Sequence, residues 1–239
     1  MPVHPWIPGE VIAIAEEAEL TRRYRIRLNS MDRFDFEPGQ FITFDLPISD
    51  KPARRMRSYS IASWPDGTNS FELVISLQKE GAGTTYLFDE VREGSILSLR
   101  GPQGHFKLPD PLDRDVFLIC TGTGIAPFRS MAHDLFLTGK PHRDVHIIFG
   151  ARHRRNLLYH DELRALSELH PDFQFHPVLS REEWEGRTGY VHAVYEELVA
   201  DRRPAHFFLC GWRNMIDEAK HRILAMGYDR TSIHQEIYG

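Results

Sequence analysis

Hydrophobic and polar side chains follow a period of two over the first part of the chain. Short runs alternate apolar and polar residues and are separated by turn residues, which is the pattern of antiparallel strands with one buried face. These runs cover residues 11–14, 24–28, 41–44, 71–77 and 95–99. Several short strands with little helix between them predict a small antiparallel β-barrel.

A different pattern begins after residue 112, where short apolar runs alternate with helical patterns. The apolar runs cover residues 116–120, 145–149, 173–179 and 207–210, and the helical patterns cover 128–137, 158–169, 191–199 and 215–223. The alternation predicts βαβ units and a parallel sheet with helices on both faces. We therefore expect two domains, a β-barrel over residues 1–112 and a parallel α/β domain over residues 113–239.

The turn between the first strand and first helix of the α/β domain is rich in glycine. Its candidate phosphate-binding residues are Thr121, Gly122, Thr123, Gly124 and Pro127. Glycines let a diphosphate approach the main chain, a proline fits the first turn of a helix, and the helix N-terminus attracts phosphate. The alternative is a strand-to-helix turn that binds no ligand.

Two segments of the predicted barrel carry candidate chemistry. Along an extended Arg57-Ser58-Tyr59-Ser60, the arginine and the tyrosine project from one face and offer a forked cation and a flat ring. Gly81-Ala82-Gly83-Thr84 begins a second turn, with Thr84 expected as the N-cap of a helix over residues 84–91 and with free N–H groups for a phosphate. The alternatives are a surface strand with an ordinary tyrosine and a capped one-turn helix.

Composition and charge exclude several classes of function. A formal net charge of −5 argues against nucleic acid as a partner. The longest apolar stretches are about five residues, far short of a membrane span, and the N-terminus lacks a secretory pattern, so we expect a cytoplasmic protein.

Cysteines and histidines do not predict a metal site. Two cysteines are too few for a four-thiolate iron–sulfur cluster. His142 and His146 are four residues apart, but Pro141 and the apolar run after residue 144 argue against a helix that presents both. We expect these histidines to be solvated ones in loops and at edges.

Four motifs, in order, resemble those of the ferredoxin–NADP⁺ reductase family. Arg57-Ser58-Tyr59-Ser60 matches its R-x-Y-S/T flavin motif, and the segment from Gly81 to Leu87 is similar to its phosphate turn, G-x-x-S/T-x-x-L. Residues 101–106 resemble the G-P-x-G-x-F that closes its barrel, and residues 121–130 resemble its nucleotide loop. The resemblance runs over nearly the whole chain and implies a flavoenzyme that binds FAD.

The resemblance also implies roles for the residues of the barrel motifs. Arg57 would pair with the FAD diphosphate, with the turn at Ala82, Gly83 and Thr84 on its other side. Tyr59 would lie along the isoalloxazine, within the motif that includes Ser58. Ser60 would donate a hydrogen bond near flavin N5 and take part in catalysis.

Two further matches lie near the C-terminus. The segment Cys210-Gly211-Trp212-Arg213-Asn214-Met215 resembles the family's C-G-x-x-x-M, whose cysteine stands beside the nicotinamide. A buried core thiol is the alternative for Cys210. Glu236-Ile237-Tyr238 resembles the family's terminal glutamate–x–tyrosine, whose ring covers the flavin, but Gly239 follows it here. We expect Cys210, Glu236 and Tyr238 to act in catalysis, with the tyrosine on a short flexible tail.

The segment after residue 179 favours NADP over NAD. Ser180 and Arg181 offer a hydroxyl and a guanidinium to an adenosine 2′-phosphate, and Arg187 and Tyr190 offer a second cation and a ring that stacks on adenine. Plant-type members of the family have a similar S-R-E followed by a tyrosine. NADH stays open as the alternative, since NADH-using relatives also carry serine and arginine here.

The predicted function is electron transfer between NADPH and a carrier protein such as ferredoxin or flavodoxin. Lys51, Arg54 and Arg55 precede the flavin motif and would attract an acidic carrier, unless they form a solvated loop or contact FAD phosphate. The alternatives are an NADH-dependent reductase that serves an oxygenase or a haem protein, and a non-enzymatic flavin or nucleotide sensor. We expect a monomer.

Overall fold

The computed structural model describes residues 4–238 and divides into two compact units. The barrel unit comprises Met1–Lys107 and Arg129–Thr138, and the α/β unit comprises Leu108–Phe128 and Gly139–Gly239. The division by contacts therefore falls a few residues before the boundary proposed between residues 112 and 113. It also assigns the later part of one helix to the barrel unit.

Six antiparallel strands and one helix form the body of the barrel unit. They are β1 (Ile7–Ala18), β2 (Thr21–Arg27), β3 (Phe41–Asp45), β4 (Met56–Ser60), β5 (Ser70–Ser76), α1 (Ala82–Asp89) and β6 (Ile96–Gln103). The sheet order is β4-β3-β6-β1-β2-β5, and a bridge between Ile61 and Leu73 joins the two edge strands. The predicted antiparallel barrel is confirmed.

Apolar side chains of alternating strand positions fill the barrel, as the period of two predicts. Fully or almost fully buried members of this core are Val11, Tyr24, Ile26, Ile42, Phe44, Phe71, Leu73, Leu97 and Leu99. Burying one such side chain contributes about 1.5–3 kcal/mol. The core therefore fixes the strand register that positions β4.

Six parallel strands and four helices belong wholly or partly to the α/β unit. They are β7 (Asp115–Thr121), α2 (Ile125–Thr138), β8 (Val145–Ala151), α3 (His160–Leu169), β9 (Phe173–Leu179), β10 (Arg187–Thr188), α4 (Val191–Leu198), β11 (Ala205–Trp212), α5 (Arg213–Ala225) and β12 (Ile233–Tyr238). The order is β10-β9-β8-β7-β11-β12, so the chain reverses direction across the sheet between β7 and β11. Ligands of open parallel sheets bind at the carboxyl ends of strands beside such a switch point.

One buried arginine explains why the later part of α2 belongs to the barrel unit. Arg129 is 5% exposed, and its Nη1 donates to the carbonyl oxygen of Ala62 at 2.9 Å and to Glu72 Oε1 at 3.0 Å. The guanidinium also lies over the Trp64 ring, 5.2 Å from its centroid. A buried arginine needs such partners because an unpaired buried charge is strongly unfavourable.

Two expectations about the α/β unit are wrong. Ile233–Tyr238 is not a flexible tail, because it pairs with β11 residue by residue from Phe207↔Ile233 to Trp212↔Tyr238. Gly239 lies outside the described residues. His146 is not a solvated edge residue: it is 3% exposed in β8 and stacks on Phe117 with centroids 4.6 Å apart.

Histidines of the sheet are neutral because of burial. Desolvation lowers the pKa of His146, and it lowers the pKa of His176 to about 4, with further lowering by the neighbouring His146. The two rings lie 5.5 Å apart and their Nδ1 and Nε2 atoms are 3.3 Å apart. Among residues 4–238, no group of three or more histidine, cysteine, aspartate or glutamate side chains is arranged to hold a metal ion.

The lowered pKa of His176 predicts that the free energy of unfolding decreases as the pH is lowered. The unfolded chain binds a proton near pH 6.5 and the folded chain only near pH 4, so protonation favours unfolding between these values. His176 alone would account for up to about 3 kcal/mol of the unfolding free energy lost over this window. His176→Phe keeps an aromatic ring beside His146, and its urea unfolding free energy should fall less steeply from pH 6.5 to pH 4.

The control is His105→Gln, which removes an exposed histidine of the barrel unit. Its stability should follow the pH profile of the unmodified chain. Parallel profiles for His176→Phe and the unmodified chain would show that His176 does not titrate with folding.

Candidate functional site

In the barrel unit, Arg57 of β4 passes directly over Gly83 of α1. A Cβ atom on Gly83 would lie 2.8 Å from Arg57 Cγ and 3.0 Å from its Nε, so the missing side chain makes room for the arginine. Arg57 Nη1 donates to the carbonyl oxygens of Arg54 at 2.9 Å and Met56 at 2.7 Å. Its Nη2 has no protein partner among residues 4–238 and stays open to an anion. The two sequence motifs of the barrel thus meet at one place.

Thr84 is not the N-cap that the sequence predicts. The helix begins two residues earlier, with Gly81 as N-cap, and it ends at Asp89. The Thr84 hydroxyl instead accepts the N–H of Gln78 at 3.0 Å and lies 3.0 Å from the carbonyl oxygen of Gly81. Thr84 therefore holds the turn, and the N–H groups of the first helical turn, beside Arg57, are the donors that a phosphate would meet.

The other residues of β4 alternate as the extended prediction requires. Ser58 Oγ is hydrogen-bonded to Thr43 Oγ1 of the neighbouring strand β3 at 2.9 Å. This hydroxyl therefore links the two strands of the sheet. Tyr59 packs against the barrel core, with its ring 5.9 Å from that of Phe44, and burial raises the pKa of its hydroxyl. Ser60 is 5% exposed at the end of the strand.

In the α/β unit, two turns at the switch point approach each other closely. Residues 122–124 form a 3₁₀ turn between β7 and α2, and Pro127 lies in the first turn of that helix as predicted. A Cβ on Gly124 would lie 2.4 Å from the carbonyl oxygen of Cys210. A Cβ on Gly211, whose φ is +125°, would lie 2.7 Å from the carbonyl oxygen of Thr121. Only glycine allows this backbone approach at both positions.

Three of the predicted catalytic residues lie together beside these turns. Cys210 pairs in register with Glu236 of β12, and the Tyr238 side chain hydrogen-bonds to Cys210. Burial raises the pKa of the Cys210 thiol, the Glu236 carboxylate raises it further, and the bond with Tyr238 opposes both effects. The thiol is therefore protonated at neutral pH. Met215, one turn into α5, packs half-buried against the apolar core.

The predicted 2′-phosphate residues Ser180 and Arg181 follow the carboxyl end of β9, next to the end of β8. Ser180 Oγ donates to the carbonyl oxygen of Ala151 at 3.3 Å, and Arg181 N donates to the carbonyl oxygen of Arg152 at 3.0 Å. Both arginines are exposed, and neither guanidinium has a protein partner within residues 4–238. Sequence reasoning missed Arg152, because only the sheet register brings it next to Arg181.

Arg187 and Tyr190 have different surroundings. Arg187 forms a two-point ion pair with Glu197, with N–O distances of 2.7 and 3.1 Å, so it is already compensated. Tyr190 is 71% exposed and precedes α4. Its ring is open to an adenine, whereas Arg187 would have to leave Glu197 to reach a phosphate.

The donor sets fit the cofactors that the motifs imply. In the barrel unit, an open guanidinium nitrogen and free helix amides suit a flavin dinucleotide diphosphate. In the α/β unit, the glycine turn and the two unpaired arginines suit the diphosphate and 2′-phosphate of a nicotinamide dinucleotide.

Comparisons with known proteins identify one cofactor-binding domain in each part of the chain. Residues 8–108 match the oxidoreductase FAD-binding domain, and residues 118–221 match the oxidoreductase NAD-binding domain. Ferredoxin–NADP reductase B of Sorangium cellulosum is 35% identical over an alignment 239 residues long, which covers 96% of each chain. The chain belongs to the ferredoxin–NADP⁺ reductase family.

Other members of the family are oxygenase reductases. The glycine betaine monooxygenase reductase subunit of Pseudomonas aeruginosa is 35% identical over 212 residues, which cover 86% of this chain and 57% of the relative. The chain thus spans little more than half the length of that relative. The crystal structure of the Amycolatopsis cytochrome P-450 reductase GcoB superposes with a TM-score of 0.86 at 30% identity, covering 98% of this chain and 70% of that one.

The chain thus combines an oxidoreductase FAD-binding domain with an oxidoreductase NAD-binding domain. Among the described residues, no helix combines the length and apolar character needed to cross a bilayer.

The passage of Arg57 over Gly83 predicts the effect of a small substitution. Gly83→Ala should displace Arg57 and weaken FAD binding about tenfold, the value of one hydrogen bond to a charged group. Helix α1 itself should not weaken, since alanine is the better helix former by up to about 1 kcal/mol. Flavin titration of the apoprotein measures the affinity, and a melting curve measures the fold.

The double variant with Arg57→Ala is the control. Once the arginine is absent, Gly83→Ala should have little further effect on FAD affinity. Additive losses would mean that Gly83 acts on the flavin without Arg57.

Proposed function

We propose that this chain is an FAD-dependent reductase that transfers electrons between NADPH and a one-electron carrier protein such as ferredoxin or flavodoxin. The observation that supports this proposal best is the cluster of Cys210, Glu236 and Tyr238. It lies beside the two turns that are in close backbone contact through Gly124 and Gly211. A sensor that only bound nucleotide would not need a thiol, a carboxylate and a phenol at the carboxyl end of the sheet. The full-length similarity to a ferredoxin–NADP reductase supports the same activity.

The residues of the barrel unit would bind and orient the flavin. FAD, when bound, exchanges a hydride with a nicotinamide and single electrons with a carrier. Arg57 and the amides of Ala82, Gly83 and Thr84 would hold the diphosphate. Tyr59 would support the ring, and the Ser60 hydroxyl would donate to flavin N5.

The α/β unit would bind and orient the nicotinamide nucleotide. The turn from Thr121 to Gly124 would hold the diphosphate, and Cys210 would shape the nicotinamide pocket as a neutral thiol. Because Tyr238 bonds to Cys210, a nicotinamide that reaches this thiol must displace the Tyr238 ring. Glu236 would set the charge next to the reacting atoms.

An NADH-dependent reductase serving an oxygenase or a haem protein is the second candidate. It is favoured by the relatives, which include monooxygenase reductase subunits and the Amycolatopsis reductase. Stopped-flow bleaching of the bound flavin distinguishes the candidates. Fast bleaching by NADPH and slow bleaching by NADH supports the first, the reverse supports the second, and no bleaching by either contradicts both.

Arg152 and Arg181 predict a preference for NADPH. Replacing either by alanine should cost about 1.5–3 kcal/mol of NADPH binding, the range for a charged hydrogen bond, and leave NADH binding nearly unchanged. The kcat/KM for the two nucleotides measures the difference. Arg164→Ala is the matched control, because this exposed arginine lies on α3 and pairs with Glu168. Equal losses with NADPH and NADH would make NAD the better assignment.

The loop before β4 predicts the docking of an acidic carrier. Arg55 forms an ion pair with Asp45 at 2.7 Å, so its positive charge is partly neutralised and attracts an acidic carrier less than the sequence indicates. Lys51 and Arg54 are exposed cations of this loop. Reversing both to glutamate should slow carrier reduction severalfold at low salt and spare ferricyanide reduction, since steering acts on charged partners.

The matched control reverses Arg25, an exposed arginine of β2, to glutamate. That variant should reduce the carrier at the normal rate. Equal loss of carrier and ferricyanide reduction in the Lys51 and Arg54 variant would assign these residues to the cofactor or the fold.

A further inference from the structure

Trp212 is the exposed end of an otherwise buried strand segment. Residues 207–211 of β11 are buried, whereas Trp212 is 59% exposed. Trp212 also occupies the N-cap position of α5, but its side chain makes no capping hydrogen bond. An indole at this place leaves a large apolar ring and one N–H donor available to a ligand.

The Trp212 ring lies next to the glycine turn. Its main-chain N–H donates to Thr121 Oγ1 at 3.3 Å, which fixes the residue beside the end of β7. The indole Nε1 is 3.9 Å from the position that a Cβ on Gly122 would take. Among residues 4–238, no other heavy atom beyond the neighbouring backbone of the turn comes within 4 Å of that position. The indole nitrogen is thus the side-chain atom nearest to the position of that Cβ.

The indole N–H has no acceptor among residues 4–238. The groups near it are backbone amides, which are the donors of an anion site. The amides of the turn and the uncapped first turn of α5 lie on the same side of the switch point. Tyr238 is the register partner of Trp212 on β12. The indole donor therefore lies near Gly122 on the β11 side of β7, whereas Arg152 and Arg181 lie at the ends of β8 and β9 on the other side.

We propose that the Trp212 indole N–H donates a hydrogen bond to the diphosphate of the bound nicotinamide nucleotide, with the ring packed against the nicotinamide half. This inference rests on the proposed function, because it assumes that the glycine turn holds a nicotinamide dinucleotide. Trp212 positions the diphosphate from the side that the glycine turn leaves open. It adds a specific neutral donor to the backbone amides.

Two ligands separate the two halves of the nucleotide. NADP⁺ contains the diphosphate, whereas adenosine 2′-monophosphate contains only the part expected at Ser180 and Arg181. Trp212→Phe, which keeps a ring but removes the donor, should weaken NADP⁺ binding about fivefold to tenfold, the value of one hydrogen bond. Trp212→Leu should weaken it further. Neither variant should change the affinity for adenosine 2′-monophosphate in calorimetric titrations of the flavin-loaded protein.

Tryptophan fluorescence provides a second readout and a matched control. NADP⁺ should change the emission of the unmodified protein and of Trp6→Phe, which alters an exposed tryptophan of the barrel unit. The change should be much smaller in Trp212→Phe. Unchanged NADP⁺ affinity in Trp212→Leu, or equal weakening of both ligands, would overturn the inference. If the unmodified protein binds neither ligand, the proposed function fails, and this inference fails with it.

Discussion

The close backbone approach of two turns at the switch point is the constraint on which the α/β unit depends. Gly124 lies against the carbonyl group of Cys210, and Gly211 lies against the main chain of Thr121. A methyl group at either position would occupy the space of a backbone atom rather than that of a flexible side chain. The contact therefore fixes the carboxyl ends of β7 and β11 relative to each other. It aligns the glycine turn, the first amides of α5 and the Cys210 cluster in one place.

A missing Cβ atom also organises the barrel unit, with a softer neighbour. Gly83 makes room for the side chain of Arg57, which could move if the space were filled. The proposed phosphate site of the barrel would therefore be adjustable, whereas the backbone contact between the two turns of the α/β unit leaves no such freedom. Both proposed sites would use the same chemistry, in which backbone amides at a helix start are joined by an arginine or an indole donor. On this proposal, an acidic chain would need few charged residues to bind the phosphate groups of both cofactors.

The fold could be predicted from the sequence because its two hydrophobic periods are strong and separate. The local structure of the candidate site was predictable wherever a motif is contiguous, as in the extended strand at residues 57–60 and the turn into a helix at residues 121–127. Contacts set by register or by a distant partner were not: Arg152 beside Arg181, Arg55 with Asp45, and Arg187 with Glu197. Thr84 was expected to cap a helix, but the turn bonds with Gln78 and Gly81 use its hydroxyl. β12 was not predicted because its polar residues interrupt the hydrophobic pattern of a strand, and the strand is stabilised by pairing with β11.

Calorimetric titration of NADP⁺ into the flavin-loaded Gly124→Ala variant tests the turn constraint most directly. Gly139→Ala, in open space after α2 at a φ of +62°, is the control for backbone strain without a steric neighbour. Our account predicts that Gly124→Ala keeps its flavin but binds NADP⁺ at least about a hundredfold more weakly. The reason is that displacing the turn costs roughly 3 kcal/mol of binding free energy. Normal NADP⁺ affinity in Gly124→Ala would show that the approach of the two turns does not build the nucleotide site, and would contradict the account.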